Sequence, residues 1–268
     1  MLDSVSNQAS GLLGFVPHQG PRLLAMVNHG DERAELPLLW QICLALVNWG
    51  YPVTVLDATI SETAENPGLA QLLDSRQRRD NANNDATGWS VLPAADGIQR
   101  LCAQARDGKP RLQRLGPCFP SDSVVIVYSQ VDWLIPLIEN FRIEPILAVS
   151  QSKTSLLTSY LVLKRLLITG KLTPTIVNMI QDSSPTHGDS SQPISASLSA
   201  CAKRFLDQDV TAINVTESRT QETVNSSTQD LAMRLLERAA TLGYDPTNTD
   251  MWVGMPSRVN ADLFAGSH

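Results

Sequence analysis

No run of lysines and arginines occurs anywhere in this chain of 268 residues, no cysteine pair stands at metal-ligand spacing, and no apolar stretch approaches the roughly 20 residues a membrane span needs. Each absence closes off a class. Without basic clusters, and with a net charge of −6 and a pI near 5.2, a broad nucleic-acid surface is excluded, and a protein partner suits the charge balance better. Cys43, Cys102, Cys118 and Cys201 are far apart, with no CxxC and no nearby histidine pair, so neither a metal centre nor a disulfide framework is indicated. No basic-then-apolar segment opens the sequence, so a cytoplasmic protein is expected, with membrane contact peripheral at most.

One further absence lies where it matters most. Residues 23–58 read as a buried strand, a polar turn, an amphipathic helix and a second buried strand, the unit whose helix N-terminus binds nucleotide phosphates in open α/β proteins. The turn, Asn28-His29-Gly30-Asp31-Glu32-Arg33-Ala34-Glu35-Leu36-Pro37, has one glycine, no lysine and no hydroxyl residue. A phosphate loop needs several glycines, a lysine and a Ser or Thr. Asp31, Glu32 and Glu35 stand instead where phosphate oxygens would have to be accommodated, and like charges repel.

What is present alternates strand and helix. The three- and four-residue spacing of Leu36, Leu39, Cys43, Leu46 and Val47 predicts a helix over 36–49, with Pro37 in its first turn and Gly50 ending it. Further strands are expected at 53–57, 89–92, 123–128, 145–149, 173–179 and 209–215, and helices at 68–73, 94–106, 132–141, 153–167, 195–206 and 228–242. The uninterrupted Val124-Val125-Ile126-Val127 run is what a strand covered on both faces requires. The fold class is therefore α/β, a mostly parallel central sheet flanked by helices on both faces. Residues 23–242 form one domain, residues 1–22 a polar leader, and residues 243–268 a tail without clear period. Two polar stretches, 75–88 and 181–195, read as surface loops.

Three segments together resemble a family. Gly50-Tyr51-Pro52-Val53-Thr54-Val55-Leu56-Asp57-Ala58 followed by Pro67-Gly68-Leu69-Ala70-Gln71-Leu72-Leu73 is similar to the first strand pair of MinD/ParA-type (SIMIBI) ATPases. Residues 143–180, with Ala148-Val149-Ser150-Gln151-Ser152-Lys153 and Val177-Asn178-Met179, resemble the second half of that fold. The leader Asn7-Gln8-Ala9-Ser10-Gly11-Leu12-Leu13 looks like the activator motif of the flagellar-number branch, FlhG (FleN), matching it at Gln8, Ala9 and Leu12. The resemblance implies that Gln8 serves an FlhF-type signal-recognition GTPase.

The departures from the family carry equal weight. Aligned on Gly50, the resemblance places Glu35 at the phosphate-loop lysine, Leu36 and Pro37 at the Ser/Thr pair, and Asp31 at the second lysine of the deviant loop. The magnesium-holding Asp of a later strand corresponds to Val127-Tyr128 and is missing, while Asp57 survives. The expectation is a pseudo-ATPase with no cofactor, no metal and no catalytic residue. The degenerate loop is Gly30, Asp31, Glu35 and Leu36, and Asp57 and Asn178 are relic candidates. Asp57 reads either as a relic carboxylate or as the cap of a strand-to-loop turn, and Asn178 either as a base-reading residue or as a partner of nearby backbone. His29 lacks a Cys or Ser neighbour to activate, which argues against a nucleophile pair. Leu231, Leu235, Arg234 and Arg238 suit packing on the domain's own sheet better than a membrane. The expected function is protein-protein regulation in flagellar placement or number control, with recruitment to the cell pole or inner membrane face. The alternatives are another polar assembly, such as cellulose or exopolysaccharide secretion, and a non-hydrolysing nucleotide binder; a homodimer stays open.

Overall fold

Alternating burial along the central strands sets the architecture. In β1 (Arg22–Asn28), Leu23, Ala25 and Val27 face one hydrophobic core while Leu24 and Met26 face another, and β4 (Val124–Gln130) splits its residues the same way. Strands buried on both sides need helices on both sides. The structure is a computed structural model and describes residues 20–75, 88–103, 111–139, 141–180, 194–217 and 224–243. The predicted leader motif, Gln8, Ala9 and Leu12, lies outside the described residues, as do most of the two polar loops and the tail after residue 243.

Among the described residues the sheet has eight strands. Seven are parallel in the order β3 (Trp89–Pro93), β2 (Val53–Asp57), β4, β1, β5 (Ile146–Val149), β6 (Thr175–Ile180) and β7 (Ala212–Thr216). The eighth, β8 (Ala240–Thr241), pairs antiparallel with the start of β1. One face is covered by α1 (Glu32–Asn48) and α7 (Ser226–Glu237). The other is covered by α2 (Leu69–Ser75), α3 (Ala95–Ala103), a 3-10 segment (Arg111–Cys118), α4 (Val131–Ile138), α5 (Lys153–Ile168) and α6 (Ile194–Leu206). Parallel pairing places the carboxyl ends of β1, β2, β4, β5 and β6 at one pole, where ligands bind in open sheets of this kind.

Four expectations need correction. Helix α1 begins at Glu32, not Leu36, because the Asp31 carbonyl accepts the Ala34 and Glu35 N–H groups and starts the winding early. Pro37 therefore lies in the second turn, where its missing N–H leaves a gap in the ladder, and Leu36 is 48% exposed instead of buried. The late helix stops at Glu237, and its expected last turn contributes β8 instead. The leader expected over residues 1–22 ends before residue 20. Leu242 N–H donates to the Pro21 carbonyl, and a Cβ on Gly20 would stand 2.0 Å from the Leu242 oxygen, so residues 20–22 belong to the domain. Gly50 does end α1, at φ +86°, with Tyr51 N–H returning to the Leu46 carbonyl.

Candidate functional site

The turn between β1 and α1 is only three residues long, His29 to Asp31, and Gly30 takes φ +87° to make it. Tight turns of this kind at a helix N-terminus leave backbone N–H groups pointing inward, ready for an anion. Here an anion is already inside, and it is the protein's own. Glu35 is fully buried, and its Oε1 accepts the backbone N–H of His29 at 3.0 Å and of Asp31 at 2.9 Å. Its Oε2 accepts the Tyr128 hydroxyl at 2.5 Å and the Asn28 side-chain amide at 3.2 Å. Asn28 gives its other N–H to the Tyr128 oxygen at 2.6 Å, closing a triangle among β1, α1 and β4. Burial, and then the adjacent Glu35 carboxylate, hold the Tyr128 phenol well above its ordinary range, so it stays a donor.

His29 extends the network to β5 and α5. Its side chain is 1% exposed, Nε2 donates to the Ala148 carbonyl at 2.7 Å and lies 3.4 Å from Glu35 Oε1, and Nδ1 bonds the Thr158 hydroxyl at 2.9 Å. Asp31 reaches the same loop, its Oδ2 accepting Ser150 N–H at 2.8 Å, which explains why it starts α1 without a side-chain cap. The expected trio of carboxylates at an open mouth is thus rearranged: Glu32 is exposed, Asp31 is turned to Ser150, and Glu35 has withdrawn into the turn. Withdrawal is favoured because four donors offset the desolvation of the buried carboxylate.

The relic candidates are also engaged. Asp57 Oδ1 accepts both the N–H and the hydroxyl of Thr59, at 2.8 and 2.6 Å, the geometry of a turn cap. It sits in register with Tyr128, the position where the resemblance would have a second carboxylate. Asn178, 1% exposed, accepts from Gln151 at 2.6 Å and donates to Asn214 at 3.0 Å. Leu36 points away from the turn on the exposed side of α1. The structure therefore brings Gly30, Asp31 and Glu35 together with Asn28, His29, Tyr128 and Ser150, and keeps Asn178 and Leu36 apart from them.

A second internal carboxylate was not anticipated from the sequence. Glu62 Oε1 accepts Ala70 N–H at 3.1 Å and Gly97 N–H at 2.9 Å, and Oε2 accepts Asp96 N–H at 2.7 Å, so one side chain serves the first turns of α2 and α3. The close approach requires glycine, since a Cβ on Gly97 would lie 2.6 Å from Leu69 Cγ and one on Gly68 2.1 Å from the Pro93 oxygen. The isolated glycines at 68 and 97 are the only sequence signal of this contact.

These side chains do not fit a nucleoside triphosphate with its magnesium. The N–H groups of His29 and Asp31 that face into the turn are satisfied by Glu35, the turn holds no lysine, and Asp57 has Tyr128 in register in place of a second carboxylate while its own Oδ1 is taken by Thr59. Among the described residues no group of three or more His, Cys, Asp or Glu is placed to hold a metal. Cys43, raised by burial to about 12, is an inert core thiol.

No protein-family model matches the chain. No curated protein matches it by sequence. Solved structures do. Cobyrinic acid a,c-diamide synthase from Mycobacterium smegmatis is 16% identical and superposes with a TM-score of 0.51 over 84% of this chain and 100% of that one. The same enzyme with bound ADP and magnesium gives 0.50 at 16% identity, over 84% and 100%. The MinD cell division protein of Aquifex aeolicus is 12% identical, with a TM-score of 0.50 over 82% of this chain and 99% of that one. At these identities the likeness shows the fold. The chain has the parallel sheet and flanking helices of MinD-like proteins.

Proposed function

We propose that this chain is a nucleotide-independent regulator that acts through protein-protein contact on a MinD/ParA-like scaffold. The observation that carries the reading is the Glu35 carboxylate, which takes the hydrogen bonds of His29 N–H and Asp31 N–H that a phosphate would need. A triphosphate entering the turn would have to expel a carboxylate held by four donors, and would meet Asp31 beside it. Hydrolysis has no support from the residue types present, because the lysine, the hydroxyl and the metal-holding carboxylate are all replaced.

The regulated process is assigned to flagellar placement or number control on the resemblance of the leader, Gln8, Ala9 and Leu12, to the FlhG motif. The partner in that assignment is an FlhF-type GTPase. Two measurements test the two halves. Isothermal titration with ATP and magnesium is expected to show no binding tighter than about 100 μM, roughly −5.5 kcal/mol; a tighter site that maps to residues 28–35 overturns the pseudo-ATPase reading. Removing residues 1–19, which leaves the packed Gly20 in place, is expected to abolish stimulation of the partner GTPase. Stimulation by the full chain that persists after the deletion overturns the leader assignment. Co-purification of a polysaccharide-secretion component in place of a flagellar one moves the same scaffold to another polar assembly.

A further inference from the structure

The opposite pole of the sheet carries a cleft that the reading above does not use. It lies where β5 and β6 begin, between the segment entering β5, the segment entering β6 and the end of α7, and encloses about 630 Å³, the size of a small-molecule site. Phe141 and Leu172 give it an apolar wall packed on the core. Three cations line it, Arg142, Lys171 and Arg238. Arg238 is spent on Glu144, which also takes the Thr175 hydroxyl at 3.1 Å. Among the described residues Arg142 and Lys171 make no ion pair, and the remaining acid at the cleft is Glu139.

Cations near helix C-termini have an ordinary explanation, because they complement the helix dipole. Lys171 lies three residues past the end of α5. Its backbone is left-handed, φ +51°, directly after Gly170, a conformation that favours glycine over lysine. The conformation recurs at Asp207 just past α6, and at Lys171 it accompanies the stop of α5, where Gly170 N–H returns to the Arg165 carbonyl and Leu172 N–H to the Leu166 carbonyl. Two cations without an ion pair among the described residues, beside the half-buried Phe141 ring on an apolar wall, make a site for a doubly negative group attached to something flat.

We infer that this cleft binds a small organic phosphate bearing a planar ring, with Arg142 and Lys171 on the phosphate and Phe141 against the ring. A phosphate monoester, with close to two negative charges at neutral pH, matches two free cations better than a carboxylate does. The test titrates phenyl phosphate, inorganic phosphate and benzoate into the full chain by calorimetry. Phenyl phosphate is expected to bind most tightly, and Arg142→Gln and Lys171→Gly each to weaken it about tenfold, the effect of one charge-assisted hydrogen bond. The Lys171→Gly chain keeps its fold, because glycine accepts this backbone, so a lost titration there reports the ammonium group. Phenyl phosphate binding no better than inorganic phosphate removes Phe141 from the proposal and overturns it. Benzoate binding as tightly as phenyl phosphate overturns the phosphate assignment, and titrations unchanged in both variants place the ligand elsewhere and overturn the site. None of these outcomes bears on Glu35, which lies at the other pole.

Discussion

At the scale of single residues, Glu35 dominates. Truncation by Glu35→Ala orphans two backbone N–H groups, the Tyr128 hydroxyl and one N–H of Asn28, and each buried unsatisfied donor costs about 1 kcal/mol or more. A loss of about 3 kcal/mol is expected in urea denaturation, partly recovered by adding tens of millimolar sulfate, which can re-enter the vacated position. Recovery equal to that of the unaltered chain would show that the turn has no anion site. Tyr128 makes the pH dependence specific. Its folded-state value is raised above that of the unfolded phenol, so the folded form holds its proton longer, and stability is lost as pH rises above about 10. Tyr128→Phe removes that titration. The stability difference between the unaltered chain and Tyr128→Phe should therefore shrink between pH 9 and pH 11, and a constant difference would contradict the coupling. None of this could be read from the residues alone. Glu35 was legible as an acid in the wrong place for a phosphate, but its withdrawal depends on Tyr128 and Asn28, which are distant in sequence or look like ordinary strand ends.

At the scale of elements, the Glu62 carboxylate and the bounds of α1 are the informative cases. Alanine is the better helix former by about 1 kcal/mol, yet Gly97→Ala in α3 is expected to destabilise by about 2 kcal/mol, because its methyl group would meet Leu69 and the Ala70 nitrogen. Pro37→Ala in α1 has the opposite expected sign, a gain of about 1 kcal/mol, since it supplies a missing ladder N–H in the second turn. Thermal unfolding of the two variants checks both signs at once. The strands and their order of appearance were legible, because β-branched runs such as Val124-Val125-Ile126-Val127 have few other uses. The starts and ends of helices were less so. Leu36 carries the right spacing for the buried stripe but lies at the margin of the arc that α1 buries, which runs through Leu38, Ile42 and Ala45, and β8 is too short to leave a periodic trace.

At the scale of the whole molecule, one sheet supports two cores, and the same strands carry both. Leu24 and Leu23 are neighbours on β1, one in each core, so neither layer has strands of its own. A single cooperative transition is expected. Tryptophan fluorescence, to which Trp40, Trp49 and Trp89 contribute from the α1 side and Trp133 from α4, should coincide with far-UV circular dichroism across a urea titration. Two separated transitions would show that the layers unfold independently. The fold class was legible from alternation alone. The cleft at the opposite pole was not, because its residues come from three separate connections that only the topology brings together.

The internal carboxylate also sets a direction on change at this turn. Any lone replacement of Glu35 by a side chain without an oxygen acceptor, lysine included, strips four donors of their acceptor, and a buried ammonium group would face those donors with none to bond. An external anion could take that place without loss of stability only if position 35, Tyr128 and Asn28 altered nearly together. The acid and its donors are thus interlocked, and the turn tolerates change at any one of these positions less well than change at all of them together.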